Sequence, residues 1–247
     1  IGMRDKAYDF EVDVCYRAWQ NCDVIETWTE IRNKEKKPVT LLQYASGFLP
    51  IRQGDVWVSH QHGSWGAEAQ VTEEPLKPGV FMVQDFNGAK NAVINRPNLM
   101  LSLDGKPQEN QGQVIGAALC WSGNFKRRID TQGKTVHRFT AGISEDNAAY
   151  TLKKGESFTT PALALTFSDE GLGGASRSFH RWARKNNMVH QGDKVRDVLL
   201  NSWEGIYLNV SQEACERLMD GVKLLGGELF VVDDGWFGDK YKRSVDN

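Results

Sequence analysis

The sequence predicts a mixed fold: a large all-β region, one connecting helix, and the opening strand–helix–strand of a parallel α/β domain. Three observations predict it. Short alternating segments parted by turn signals fill residues 1–170 with no helical pattern between them. A glycine-flanked amphipathic stretch comes next. From residue 198 the apolar residues run continuously, give way to a helical pattern, and run continuously again, the texture of parallel strands buried on both faces.

Residues 11–19 and 24–31 alternate polar and apolar positions, and 39–45, 55–60, 80–84, 98–103, 114–121, 137–143 and 162–167 are further strand candidates. Phe86-Asn87-Gly88, Asp104-Gly105, Gln132-Gly133 and Lys154-Gly155 supply turns between them. Many short strands without helices make a sandwich or barrel. About 170 residues exceed the roughly 100 of an immunoglobulin-type sandwich, so an extended double sheet fits better. Residues 175–186 place Phe179, Trp182 and Ala183 on one helical face with a cationic last turn, and Gly171, Gly173 and Gly174 mark a boundary before them. The domains read as a β region over 1–170, a linker helix over 171–195 and the incomplete start of a barrel over 196–247.

In that last part, 198–203 is the first buried strand. Ser211 is an N-cap with Glu213 in the favourable first turn. Ala214, Leu218, Val222 and Leu225 form one apolar helix face, and Gly226-Gly227 ends the helix in a left-handed conformation. Residues 228–232 form a second strand, parallel to the first because a helix crosses between them. A (β/α)₈ barrel takes roughly 250 residues, far more than remain here.

The charge balance excludes some partners. The chain has 30 basic and 32 acidic residues and a net charge of -2, so no strong field favours nucleic acid or an anionic membrane surface. No apolar run is long enough to span a bilayer. Cys15, Cys22, Cys120 and Cys215 lack zinc-site spacing and read as free thiols, although a Cys15–Cys22 bridge stays open. Free thiols favour a cytoplasmic location. The chain opens on Ile1 and not Met, so the native N-terminus is expected upstream and the location stays open.

Asp233-Asp234-Gly235-Trp236-Phe237-Gly238 carries the sharpest chemical signal. Two carboxylates closing an apolar run are costly unless hydrogen-bonded, and the C-terminal ends of barrel strands are where active sites open. Sugar hydroxyls would supply the donors; a helix cap or loop ion pair is the ordinary alternative. Trp203, in Asn201-Ser202-Trp203-Glu204, ends the first strand as Asp233 ends the second, so both open on one mouth. Eight tryptophans are many for this length, and indole faces suit the apolar C–H faces of sugars, although most serve β cores. Trp121-Ser122-Gly123-Asn124-Phe125 reads as a structural turn, and 61–68, including Trp65, as a loop. His180 receives no role.

Together, Trp121-Ser122-Gly123-Asn124-Phe125, Phe179-His180-Arg181-Trp182-Ala183-Arg184, Leu199-Leu200-Asn201-Ser202-Trp203-Glu204 and the run from Phe230 to Gly238 resemble the α-galactosidases of glycoside hydrolase family 36 in order and spacing. The resemblance covers nearly the whole chain, which corresponds to the N-terminal part of such an enzyme. It implies an N-terminal β-supersandwich followed by a (β/α)₈ TIM barrel, of which this chain holds the first βαβ unit. It implies a retaining exo-glycosidase that removes terminal α-galactosyl residues from raffinose- or melibiose-type oligosaccharides, using two carboxyl groups and no cofactor or metal. Those carboxyl groups come from later strands, so no catalytic residue is assigned here, and the chain alone is expected to be inactive. Asp233 and Asp234 match the family's galactose-binding aspartate pair, Trp203 the aromatic residue ending the first strand, and Trp65 a tryptophan reaching toward the site. Homo-oligomers are implied for the full-length protein. The chain departs from the family pattern at Gly205-Ile206, at Leu208-Asn209 and around 64–68. Relatives that act as galactosyl transferases or α-N-acetylgalactosaminidases are alternatives, and so is a non-catalytic carbohydrate-binding or assembly module.

Overall fold

The computed structural model describes residues 1–237, apart from 53, 147, 189–191 and 193. Gly238, and with it the end of the predicted barrel segment, lies outside the described residues. The chain divides into two compact units, Ile1–His190 and Gln191–Asn247.

In the first unit the strands are β1 (Gly2–Arg4), β2 (Phe10–Trp19), β3 (Val24–Asn33), β4 (Val39–Leu41), β5 (Gly47–Ile51), β6 (Trp57–Ser64), β7 (Ala67–Pro75), β8 (Gly79–Asp85), β9 (Asn95–Ser102), β10 (Val114–Leu119), β11 (Phe125–Gln132), β12 (Val136–Ile143), β13 (Tyr150–Leu152), β14 (Ser157–Thr159) and β15 (Leu163–Ser168). Among the described residues they form a nine-stranded antiparallel sheet in the order β1-β2-β3-β15-β10-β9-β6-β7, with β14 also on β3. A four-stranded sheet, β5-β12-β11-β8, and the pair β4–β13 complete the unit.

The two main sheets pack face to face. Val58, Leu99, Leu101, Ala117, Leu119 and Leu163 of the larger sheet meet Ile51, Phe125, Ile129, Phe139 and Ala141 of the smaller, each nearly or fully buried. This is the sandwich that alternation predicts. Periodicity does not disclose β11, because one of its inward positions is charged. Phe125, Arg127, Ile129 and Thr131 point into the core, while Lys126, Arg128 and Asp130 stay partly accessible. Arg127 donates one hydrogen bond to the Asn98 carbonyl at 2.5 Å and lies 5.7 Å from the Phe125 ring centre. Its Nε and Nη2 find no partner among the described residues, and burial pushes its pKa down to about 9.

The helix predicted over 175–186 starts earlier. It is α2 after a short α1 (Asn91–Ile94), spans Gly171–Trp182 and continues as a π-helical turn over Ala183–Asn187. No side chain caps its N-terminus. Instead Gly171, Leu172 and Gly173 donate to the carbonyls of Gly112, Gln108 and Glu109 at 2.9–3.0 Å. The glycines therefore mark a docking contact within the first unit. Gly171 sits at φ 70, and a Cβ there would lie 2.5 Å from the Gln108 carbonyl oxygen. The other end of α2 packs Phe179 and Trp182 onto Cys22, Val24 and Ala164, and Trp182 donates to Glu26 at 3.2 Å.

The second unit holds β16 (Leu199–Asn201), α3 (Trp203–Ile206), α4 (Gln212–Leu224) and β17 (Leu229–Val231). The two strands are parallel, with Leu199, Leu200 and Asn201 level with Leu229, Phe230 and Val231. Ser211 caps α4, accepting from the Ala214 N–H at 3.2 Å, and Gly226 takes φ 81 beyond its end. Ala214 and Cys215 are buried, whereas Leu225, read from sequence as the last member of the apolar face, is 88% exposed. Leu225 is the C-cap of α4 and still donates its N–H to the Gly221 carbonyl at 3.1 Å, and Leu224 within the helix is equally exposed. All four cysteines are free thiols. No described helix is long and apolar enough to cross a membrane.

Candidate functional site

The parallel pair brings the two strand ends level, and short polar side chains tie them together. The Asn201 carboxamide donates to Asp233 Oδ2 at 2.6 Å, while its oxygen accepts the Trp203 N–H at 2.7 Å. Ser202 is fully buried; its N–H reaches the Val231 carbonyl at 2.9 Å and its hydroxyl accepts the Asp233 N–H at 2.9 Å. Asp233 Oδ1 accepts the Asp234 N–H at 2.6 Å. The first carboxylate is thus oriented from both strands before any ligand arrives, with both oxygens engaged and the residue still partly accessible.

Gly235 follows at φ 103, and a Cβ there would come within 3.1 Å of Leu208 Cα and Val210 Cγ2. The Asp233-Asp234 turn consequently lies against the loop that leaves α3. Trp236 is 70% exposed and stands edge-on to Phe237, with ring centres 5.7 Å apart. On the first strand's side, Trp203 begins α3 and stands edge-on to Tyr207 at 5.4 Å.

Of the residues picked out by sequence, Trp203, Asp233 and Asp234 lie at the paired strand ends of the second unit. Trp65 belongs to the first unit. The segment read as a loop over 61–68 is instead the end of a long hairpin: β6 and β7 run to Ser64 and Ala67, and Trp65-Gly66 forms the two-residue connection. Trp65 is 89% exposed there, and Glu68 accepts the Gly66 N–H at 3.1 Å. Single-residue reading passes over Asn201 and Ser202; their signal was two small polar residues closing a continuous apolar run, which in this chain is partly exposed, with Val198 and Leu199 at 62% and 50%. Trp121-Ser122-Gly123-Asn124 is the turn between the two sheets. Its indole donates to the Asn124 carbonyl at 3.1 Å, and the Asn124 side chain accepts from Gly88 at 2.7 Å. No group of three or more potential metal ligands converges among the described residues.

Residues 1–153 match the family model of the glycosyl hydrolase family 36 N-terminal domain. The chain belongs to glycoside hydrolase family 36. Residues 157–247 match the melibiase model. The α-galactosidase C of Emericella nidulans is 31% identical over 249 residues, covering 100% of this chain and 33% of that protein. The family 36 α-galactosidase AgaA of Geobacillus stearothermophilus is a structural match at TM-score 0.89 and 30% identity, covering 96% of this chain and 33% of AgaA. Variants of AgaA have been solved in complex with stachyose and with raffinose. The chain spans about a third of the length of the curated relatives it matches. In family 36 terms it holds the N-terminal sandwich and the start of the barrel domain.

Proposed function

We propose that this chain forms part of a retaining exo-α-galactosidase that releases terminal α-D-galactosyl residues from raffinose- or melibiose-type oligosaccharides. The observation that carries the reading is the carboxylate of Asp233, fixed by Asn201 across two parallel strands at their C-terminal ends. Active sites of (β/α)₈ barrels open at that end of the strands. The stachyose and raffinose complexes of AgaA support the substrate class.

In this reading Asp233 and Asp234 accept hydrogen bonds from galactose hydroxyls, and Trp203 offers an apolar face to the ring. Trp65 is a further contact, offered on its exposed hairpin tip. The pair is not the acid and nucleophile. Adjacent residues at a strand end direct their side chains differently, whereas retention needs two carboxyl groups about 5 Å apart on either side of one bond. Those two groups are assigned to later barrel strands. Proton nuclear magnetic resonance of the full-length enzyme acting on 4-nitrophenyl α-galactoside tests this. α-Galactose is expected as the first anomer released; β-galactose first, or no turnover, overturns the reading.

A further inference from the structure

The turn after Trp203 holds a tyrosine in a conformation suited to glycine. The Asn209 N–H donates to the Ile206 carbonyl at 3.0 Å, closing a four-residue turn. Its second residue, Tyr207, has φ 48 and ψ −127. Those angles belong to the first central position of a type II′ turn, where glycine is the default because a Cβ crowds the backbone. Tyr207 is 52% exposed within this chain. Backbone strain of this kind concentrates at functional sites.

The strained backbone brings the ring back over α3. Tyr207 stands edge-on to Trp203, with ring centres 5.4 Å apart and planes at 79°. Its N–H donates to the Trp203 carbonyl at 2.8 Å, and its hydroxyl donates to Glu204 Oε2 at 3.4 Å. Two aromatic faces therefore meet at a right angle. Trp203 is joined through Asn201 to Asp233. Tyr207 lies four residues further on, about one helical turn from it.

We infer that Tyr207 is a specificity-determining residue that contacts the sugar next to the terminal galactose, packing its ring against that sugar's apolar face. The inference rests on the galactosidase reading above. If Asp233, Asp234 and Trp203 engage the terminal residue, the outer wall of the corner is left for its neighbour.

The test compares raffinose with α-galactosyl fluoride in the full-length enzyme, because the fluoride carries no second sugar. Tyr207→Gly fits the turn without strain, so its unfolding midpoint is expected not to fall below that of the parent. The ratio of kcat/KM for raffinose to kcat/KM for the fluoride is expected to fall roughly tenfold in Tyr207→Gly, the scale of one lost aromatic contact, mainly through a higher KM for raffinose. Tyr207→Phe, which keeps the ring, should restore most of that ratio. A ratio within about twofold of the parent in Tyr207→Gly, or no rescue by Tyr207→Phe, overturns the inference. A parent enzyme that hydrolyses neither substrate brings down the galactosidase reading, and this inference with it.

Discussion

Ser202 shows how one small side chain positions the candidate site. It is fully buried between two strand ends, and its hydroxyl receives the backbone N–H of Asp233. Removing that oxygen strands a donor beside the carboxylate. Ser202→Ala is therefore expected to destabilise by about 1–2 kcal/mol, seen as a lower urea midpoint with unchanged slope. An unchanged midpoint would show that water replaces the hydroxyl. At this scale the sequence was legible where chemistry is unusual. Two adjacent carboxylates ending an apolar run announce themselves, but Ser202 and Asn201 are ordinary residue types whose meaning comes from what the opposite strand brings against them. Tyr207 was hidden for the same reason, because nothing in its neighbours signals a positive φ.

At the scale of elements, continuous apolar runs predicted the parallel pair, and Ser211 and Gly226 predicted both ends of α4, because those signals are local. β11 was illegible because Arg127 occupies an inward position that alternation assigns to an apolar residue. Residues 67–75 were illegible as β7 because that strand forms the sheet edge and is exposed along most of its length, leaving no apolar face to read. Gly171, Gly173 and Gly174, read from sequence as a boundary, open α2 and make a close backbone contact there. Flexibility and close approach both select glycine, and only the loop from Gln108 to Gly112, distant in sequence, tells them apart. Gly171→Ala separates them by experiment. With φ 70 and backbone atoms of Gln108 and Gln111 at 2.5 and 2.7 Å, the loss of stability is expected to be roughly 2 kcal/mol or more. A hinge glycine would tolerate alanine with little change in thermal midpoint.

At the scale of the whole molecule, the sandwich closes over a cation and a histidine as well as apolar side chains. His60 on β6 stands edge-on to Phe81 at 5.4 Å and lies 3.6 Å from Glu74. Burial lowers its pKa below the ordinary 6.5, and the Arg127 charge adds to that, against the opposing pull of Glu74. The unfolded chain then takes up the proton first as pH falls. Stability is fully present above about 6.5, declines as pH drops through that value toward the lower folded-state pKa, and levels off beneath it. His60→Phe is expected to flatten the pH dependence of the thermal midpoint over that window. An identical slope in the variant would place the acid sensitivity elsewhere.

The central claim is that Asp233 and Asp234 bind the galactosyl residue of a family 36 substrate without performing the bond cleavage. The most direct measurement is kcat/KM for 4-nitrophenyl α-galactoside with full-length Asp234→Ala, beside the same variant's rate of reaction with azide. A fall on the order of 10²–10³ is expected, as for other preorganised polar contacts, with no rescue by azide, because no nucleophile has been removed. An unchanged kcat/KM, or azide rescue yielding β-galactosyl azide, would contradict the claim.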